Sequence, residues 1–202
     1  MTRRKVSNPL ALAVLACLAE RPMHPYEIAS QLRERHKDMS IKLNYGSLYS
    51  VIEALCRHKF IVAQETIREG RRPERTIFAL TEAGNVELHD WLSELLARPV
   101  KEYTQFEAGL SLLSVLPPET AVALLRQRCH AIEIELAKLA SIRELTDRMN
   151  VPRLFMIENE YWAMLRTVEL EWVRALADDI ESDGLEGMDR WRDWHAKARH
   201  ER

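Results

Sequence analysis

Between residues 42 and 50 the chain sets Lys42, Asn44, Tyr45, Ser47, Tyr49 and Ser50 around Gly46, and between residues 68 and 75 it sets four arginines around Gly70 and Pro73. Neither group has the make-up of a reaction centre. Hydroxyls, an amide, an ammonium and guanidiniums are hydrogen-bond donors; Glu69 and Glu74 dilute the charge of the second group, but with no histidine or thiol in either stretch these residues hold an anion rather than transform it. Small neighbours such as Gly46 let a large surface come close. A nucleic-acid backbone fits both requirements, because its phosphates are contacted by Ser, Asn, Tyr, Lys and Arg side chains and by free helix N-termini.

The elements around these residues must then hold them outward. A first helix is expected from Pro9 to about Glu20: Ser7-Asn8-Pro9 supplies cap residues and a first-turn proline, and Leu10, Val14, Cys17 and Leu18 share one face. Arg21-Pro22-Met23-His24-Pro25 breaks it. A second helix follows from Pro25, with Tyr26, Ile28 or Ala29, and Leu32 as its apolar stripe, Glu27 in its first turn and a basic, exposed last turn. The third runs from about Tyr45 to His58, with Leu48, Val51, Ile52 and Leu55 inward at helical spacing. FIVAQETI and RTIFAL then read as two strands joined by REGRRPE, and a fourth helix starts at the capping Thr81 of TEAG. Three helices and a hairpin with a basic tip are the order of a winged helix-turn-helix.

Bulk properties limit the alternatives. At 202 residues, 47% hydrophobic and 30% charged, the chain is an ordinary folded protein with a net charge of only -2. That average hides an asymmetry: residues 1–84 carry 14 Lys and Arg against 9 Asp and Glu, and residues 85–202 carry 15 against 22, so the front is +5 and the back -7. An anionic partner is expected at the front. Cys17, Cys56 and Cys129 have no CxxC spacing and read as reduced core residues of a cytoplasmic protein. Arg3-Arg4-Lys5 before LALAVLACLA imitates a short leader, but the run completes the first helix and is read as such. No stretch reaches the roughly 20 apolar residues that span a bilayer, so no membrane partner is expected. Enzyme motifs, metal-ligand spacings and cofactor loops are absent, so neither an enzyme nor a metal or cofactor is expected.

Turned at about 100° per residue, the third helix sends Gly46, Ser47, Ser50, Ala54 and Arg57 away from the core, with Tyr49 on the flank. Asn44 and Ser47 also suit plain cap roles, and a solvated turn would carry arginines too. The helix face and the hairpin tip, where Arg68, Arg71, Arg72 and Arg75 meet no packing demand, agree with each other in favour of double-stranded DNA. Thr2 to Lys5 would add a basic arm.

These residues resemble the PadR-like transcriptional regulators over almost the whole chain. HPYEI opens the second helix, NYGSLYSVIEAL is similar to the family's recognition helix, and EGRRPERTIFALTEAG is similar to its wing and second strand. Pro25 stands where the family usually has glycine, Ser50 where proline commonly follows the tyrosine, and Phe78 where tyrosine is usual. The resemblance implies a homodimeric repressor whose recognition helix and wing bind a pseudo-palindrome and whose C-terminal helices form the dimer. It is the long C-terminal form, as in the branch with virulence regulators. It assigns Lys42, Asn44, Tyr45, Ser47 and Tyr49 to recognition-helix contacts and Arg71, Arg72 and Arg75 to the wing.

Pro99 marks the expected boundary between a DNA-binding domain, residues 1–98, and a helical dimerisation domain, residues 99–202, in a mainly α protein. Beyond it come a short helix in FEAGLSLLSVL, a long helix from PPET to about Met149, and another after Pro152. Val122, Leu125, Cys129, Ile132, Leu136 and Leu139 form a heptad seam, nearly repeated by Tyr161, Leu165, Val168, Trp172 and Leu176. Seams this short pack either between chains or within one. Dimerisation is the favoured reading, because one helix-turn-helix binds a half-site weakly. Phe155, Trp162 and Met164 are candidates for an apolar effector pocket. A reading from another class also stands: a protein-interaction adaptor that keeps the fold without binding DNA, for which Glu53 on the third helix and the net acidity speak.

Overall fold

The computed structural model describes residues 4, 6–67 and 75–200, in two compact units, Met1–Lys101 and Glu102–Arg202. The first contains α1 (Pro9–Glu20), α2 (Pro25–Glu34), a 3-10 turn (Lys37–Met39), α3 (Tyr45–Arg57), strands β1 (Ile61–Ile67) and β2 (Arg75–Leu80), and α4 (Glu82–Ala97). The second contains α5 (Gln105–Ser111), α6 (Pro118–Arg148), α7 (Ile157–Glu181) and α8 (Met188–His200), with short 3-10 turns before α6 and α7.

Side-chain chemistry fixes the ends of the front helices. Asn8 accepts from the Leu10 amide at the start of α1. His24 and Glu27 form a reciprocal capping box on α2, with Pro25 in its first turn. Around α1 and α3 the core closes on Leu10, Leu15, Met23, Ile28, Leu48, Leu55 and Ile61, all fully buried. The inward stripe of α3 is the expected one, Leu48, Val51, Ile52 and Leu55. The three cysteines are free; burial pushes the Cys17 thiol up to about 11, which keeps it protonated and inert.

The wing is a two-stranded antiparallel sheet, Ile61 opposite Leu80 and Ile67 opposite Arg75, with a register shift between Ala63 and Glu65. Its base is tied to the helices by a bridge that the sequence does not announce. Met23 and Phe78 exchange backbone hydrogen bonds, each 3.1 Å, so the segment read only as a helix break is also bridged to β2. On the other side, the Thr81 hydroxyl accepts from the Gly84 amide at 3.0 Å while donating back toward the carbonyls of Lys59 and Phe60. A Cβ on Gly84 would lie 2.0 Å from the Phe60 carbonyl oxygen, so the glycine is what lets the start of α4 approach the turn between α3 and β1.

Helices α6 and α7 form an antiparallel hairpin. Leu125, Cys129 and Ile132 of α6 are buried against Leu170, Val173, Ala177 and Ile180 of α7, with Val122 and Leu136 half-buried beside them. Arginine–carboxylate pairs run along it: Arg126 to Asp178 and Glu181, Arg174 to Glu133, Arg166 to Glu135. Arg128 pairs with Glu169 and covers the Phe106 ring of α5 at 3.5 Å, and the Trp191 indole of α8 donates to the Leu116 carbonyl at 2.9 Å.

Candidate nucleic-acid interface

Asn44 is the N-cap of α3: its backbone is extended and its Oδ1 accepts from the Ser47 amide at 2.7 Å. The cap uses the amide oxygen and does not use the Nδ2 donors of this exposed residue. Next to it Gly46 is exposed, and a Cβ there would meet only Asn44 Oδ1, at 3.7 Å. Among the described residues no packing calls for a glycine there, although glycine weakens a helix. An open helix start with small residues is thus available to an outside surface, with first-turn amides that have no intrahelical partner.

The exposed face of α3 differs by a small rotation from the expected one. Gly46, Tyr49, Ser50, Glu53 and Arg57 are exposed, whereas Ser47 is half-buried and Ala54 packs partly on the core. Helices α1 and α2 and strand β1 pack on α3, which leaves Ala54 partly inward and Tyr49 and Glu53 on the outer face. Tyr49 is 49% exposed. Ser50 donates to the Gly46 carbonyl at 3.1 Å, so its hydroxyl proton is used within the helix. Lys42 is exposed just before the cap, and the Tyr45 ring stacks on that of Tyr26, centroids 6.5 Å apart.

On the wing, the Arg75 backbone pairs with Ile67, while its side chain, like all of Arg68, Arg71 and Arg72, lies outside the described residues. The expected basic N-terminal arm is corrected at Arg4. Its guanidinium bonds Glu87 and Glu94 of α4 at 2.6 Å each and lies over the Trp91 ring, so it fastens the terminus to the unit. Met1 to Arg3 and Lys5 lie outside the described residues.

In the helical unit the expected dimer seam splits in two. Leu125, Ile132 and Leu139 are buried inside the unit, and Val122 and Leu136 partly so. This corrects their reading as contacts between chains: a heptad marks a helical partner but not whose chain supplies it. The α7 stripe behaves oppositely, with Tyr161 59%, Leu165 37%, Val168 60% and Trp172 50% exposed. The buried face of α7 is instead Leu170, Val173, Ala177 and Ile180, which no stripe in the sequence reading contained.

Phe155, Trp162 and Met164 are also exposed and are not among the residues lining the cavity at the α6–α7 elbow; Arg166 covers the Trp162 ring at 4.1 Å. That cavity, of about 380 Å³, has Leu136, Leu139, Val151, Met156 and Ala163 in its apolar wall and is also lined by the paired Arg153 and Glu160. Among the described residues no group of three His, Cys, Asp or Glu could hold a metal ion, and no helix is long and apolar enough to cross a membrane.

Three core helices, of which α3 leaves its outer face exposed, and a hairpin bridged to them form a winged helix-turn-helix. Residues 14–90, from within α1 into α4, match the Transcriptional regulator PadR-like family. The negative transcriptional regulator PadR of Bacillus subtilis is 23% identical over 181 residues, 86% of this chain and 98% of that protein. The crystal structure of that PadR in complex with operator DNA shares the fold, with a TM-score of 0.65 at 21% identity over 86% of this chain and 99% of that one. The virulence activator AphA of Vibrio cholerae does so too, with a TM-score of 0.65 at 15% identity over 86% and 98%. Residues 14–90 thus match the PadR-like family of transcriptional regulators, and the chain as a whole is similar in fold to relatives that it covers almost end to end.

Proposed function

We propose that this chain is a PadR-like transcriptional regulator, a homodimeric repressor acting in the cytoplasm, that binds a pseudo-palindromic site in double-stranded DNA through the start of α3 and the wing. The observation that carries the reading is Gly46: it is exposed, unneeded by its own fold and set between an N-cap amide and exposed Tyr49. Asn44, Tyr45 and Tyr49 take the α3 contacts with Lys42 beside them, and Ser47 lends its amide to the cap. Arg71, Arg72 and Arg75 take the wing contacts. Repression is supported by the negative regulator of Bacillus subtilis, the relative that aligns over 86% of this chain.

The dimer uses the exposed α7 stripe, Tyr161, Leu165, Val168 and Trp172, whose heptad spacing suits a second helix. Two such faces would bury large apolar side chains that one chain leaves in water. A small apolar effector would be received by the elbow cavity rather than by Phe155, Trp162 and Met164.

Replacing Arg71, Arg72 and Arg75 together by Gln tests the reading. Log affinity against log salt should flatten by about 0.9 for each phosphate contact removed, roughly 2.7 in all. Unchanged affinity and slope would favour an adaptor without DNA binding.

A further inference from the structure

Several arginines of the first unit are neutralised by nearby acids. Arg4 is held by Glu87 and Glu94, Arg35 by Glu20, and Arg21 lies 3.8 Å from Glu27. Arg33, near the end of α2, differs: among the described residues no carboxylate lies within ion-pair distance of it. It is nevertheless held in place. Its Nη1 donates to the Tyr45 hydroxyl at 2.9 Å, and its guanidinium carbon lies 4.8 Å from the centroid of the Tyr45 ring. That ring is in turn stacked on Tyr26, with an interplanar angle of 13°.

The arrangement is exposed throughout, with Tyr26 63% and Tyr45 43% accessible and Arg33 in contact with solvent. A guanidinium has five N–H donors, of which Tyr45 takes one. Ordering a long side chain without neutralising it leaves a fixed positive charge and free donors on the surface. Tyr45 is the first residue of α3, directly before Gly46, so this charge sits beside the helix start that the DNA-binding reading already uses. Arg33 itself belongs to α2, and in a helix-turn-helix the first of the two helices crosses the sugar–phosphate backbone while the second enters the groove.

We infer that Arg33 is a DNA-backbone contact, that Tyr45 positions its guanidinium, and that Tyr26 backs the Tyr45 ring. This rests on the DNA-binding reading and extends the contact surface from α3 to the outer face of α2. A phosphate contact from α2 carries no base information, so its loss weakens all sequences alike. The test uses the full chain with Arg33→Gln, Arg33→Lys and Tyr45→Phe. Binding to a selected site and to a scrambled duplex is followed by fluorescence anisotropy across a salt series, with thermal unfolding alongside.

Arg33→Gln should flatten the salt slope by about 1 and weaken both duplexes by a similar factor, on the order of three- to tenfold, with the unfolding midpoint unchanged. Arg33→Lys should keep the slope, since the charge remains. Tyr45→Phe should keep the slope too but weaken binding a few-fold, because the guanidinium loses its anchor and not its charge. An unchanged slope in Arg33→Gln, with wild-type protein still binding in a salt-dependent way, overturns the inference and leaves the DNA-binding reading standing. A wild-type protein that binds neither duplex overturns that reading itself. A loss confined to the selected site would also overturn the inference, since it would make Arg33 a base-reading residue.

Discussion

Asn44→Asp separates the two roles assigned to the α3 N-cap. Asp keeps an acceptor for the Ser47 amide, now bonded by Oδ1 at 2.7 Å, and adds a negative charge at the positive end of the helix. Folding stability should hold or rise, by about 0.3 kcal/mol at this exposed position. DNA affinity should move the other way. The substitution removes the Nδ2 donors, a loss of about 0.5–1.5 kcal/mol, and sets a carboxylate near phosphate, a repulsion of about 1 kcal/mol for charges some 4 Å apart in water. Together they give roughly 1.5–2.5 kcal/mol, or about ten- to seventyfold weaker binding, with a shallower salt slope. Asn44→Ala is the control: it should lose about 1 kcal/mol of stability with the cap. The assays are urea unfolding and fluorescence anisotropy on one preparation. Asn44→Asp protein that is as stable as wild type and binds DNA equally well would refute the assignment and leave Asn44 a cap alone.

Gly46→Ala should stabilise the fold by up to about 1 kcal/mol in urea unfolding, because a Cβ there meets only Asn44 Oδ1. Gly46→Leu should still fold yet lose more than roughly tenfold in DNA affinity, the bulk now standing between α3 and the groove. Val168→Glu, in the middle of the exposed α7 stripe, should turn a dimer into a monomer in light-scattering measurements, since a charge facing its own symmetry mate resists burial. Arg4→Ala should lower stability by about 1 kcal/mol through the loss of Glu87, Glu94 and the Trp91 face. It should leave the salt slope of DNA binding unchanged, because Arg4 faces inward.

The elements of the front unit are legible in the sequence because each carries its own local signal. Asn8-Pro9 opens α1, Leu48, Val51, Ile52 and Leu55 repeat at helical spacing, and Thr81 announces α4. What escapes is whatever depends on a partner far along the chain. The Met23–Phe78 bridge is made by backbone atoms and has no side-chain signature. Arg4 sits in a run that looks like a free arm, and only the fold brings Glu87 and Glu94 to it. Period alone placed Ala54 outside, although neighbouring elements turn it partly inward and leave Tyr49 and Glu53 out. For α6 the heptad was readable and its partner was not: α7 of the same chain fills it, through Leu170, Val173, Ala177 and Ile180.

Selection of bound duplexes from a random pool by the purified full-length protein, at physiological salt, tests the central claim most directly. The expected result is a two-fold symmetric consensus with half-sites about one helical turn apart, bound with steep salt dependence. A pool that stays random, with no sequence held more tightly than bulk DNA, would contradict it.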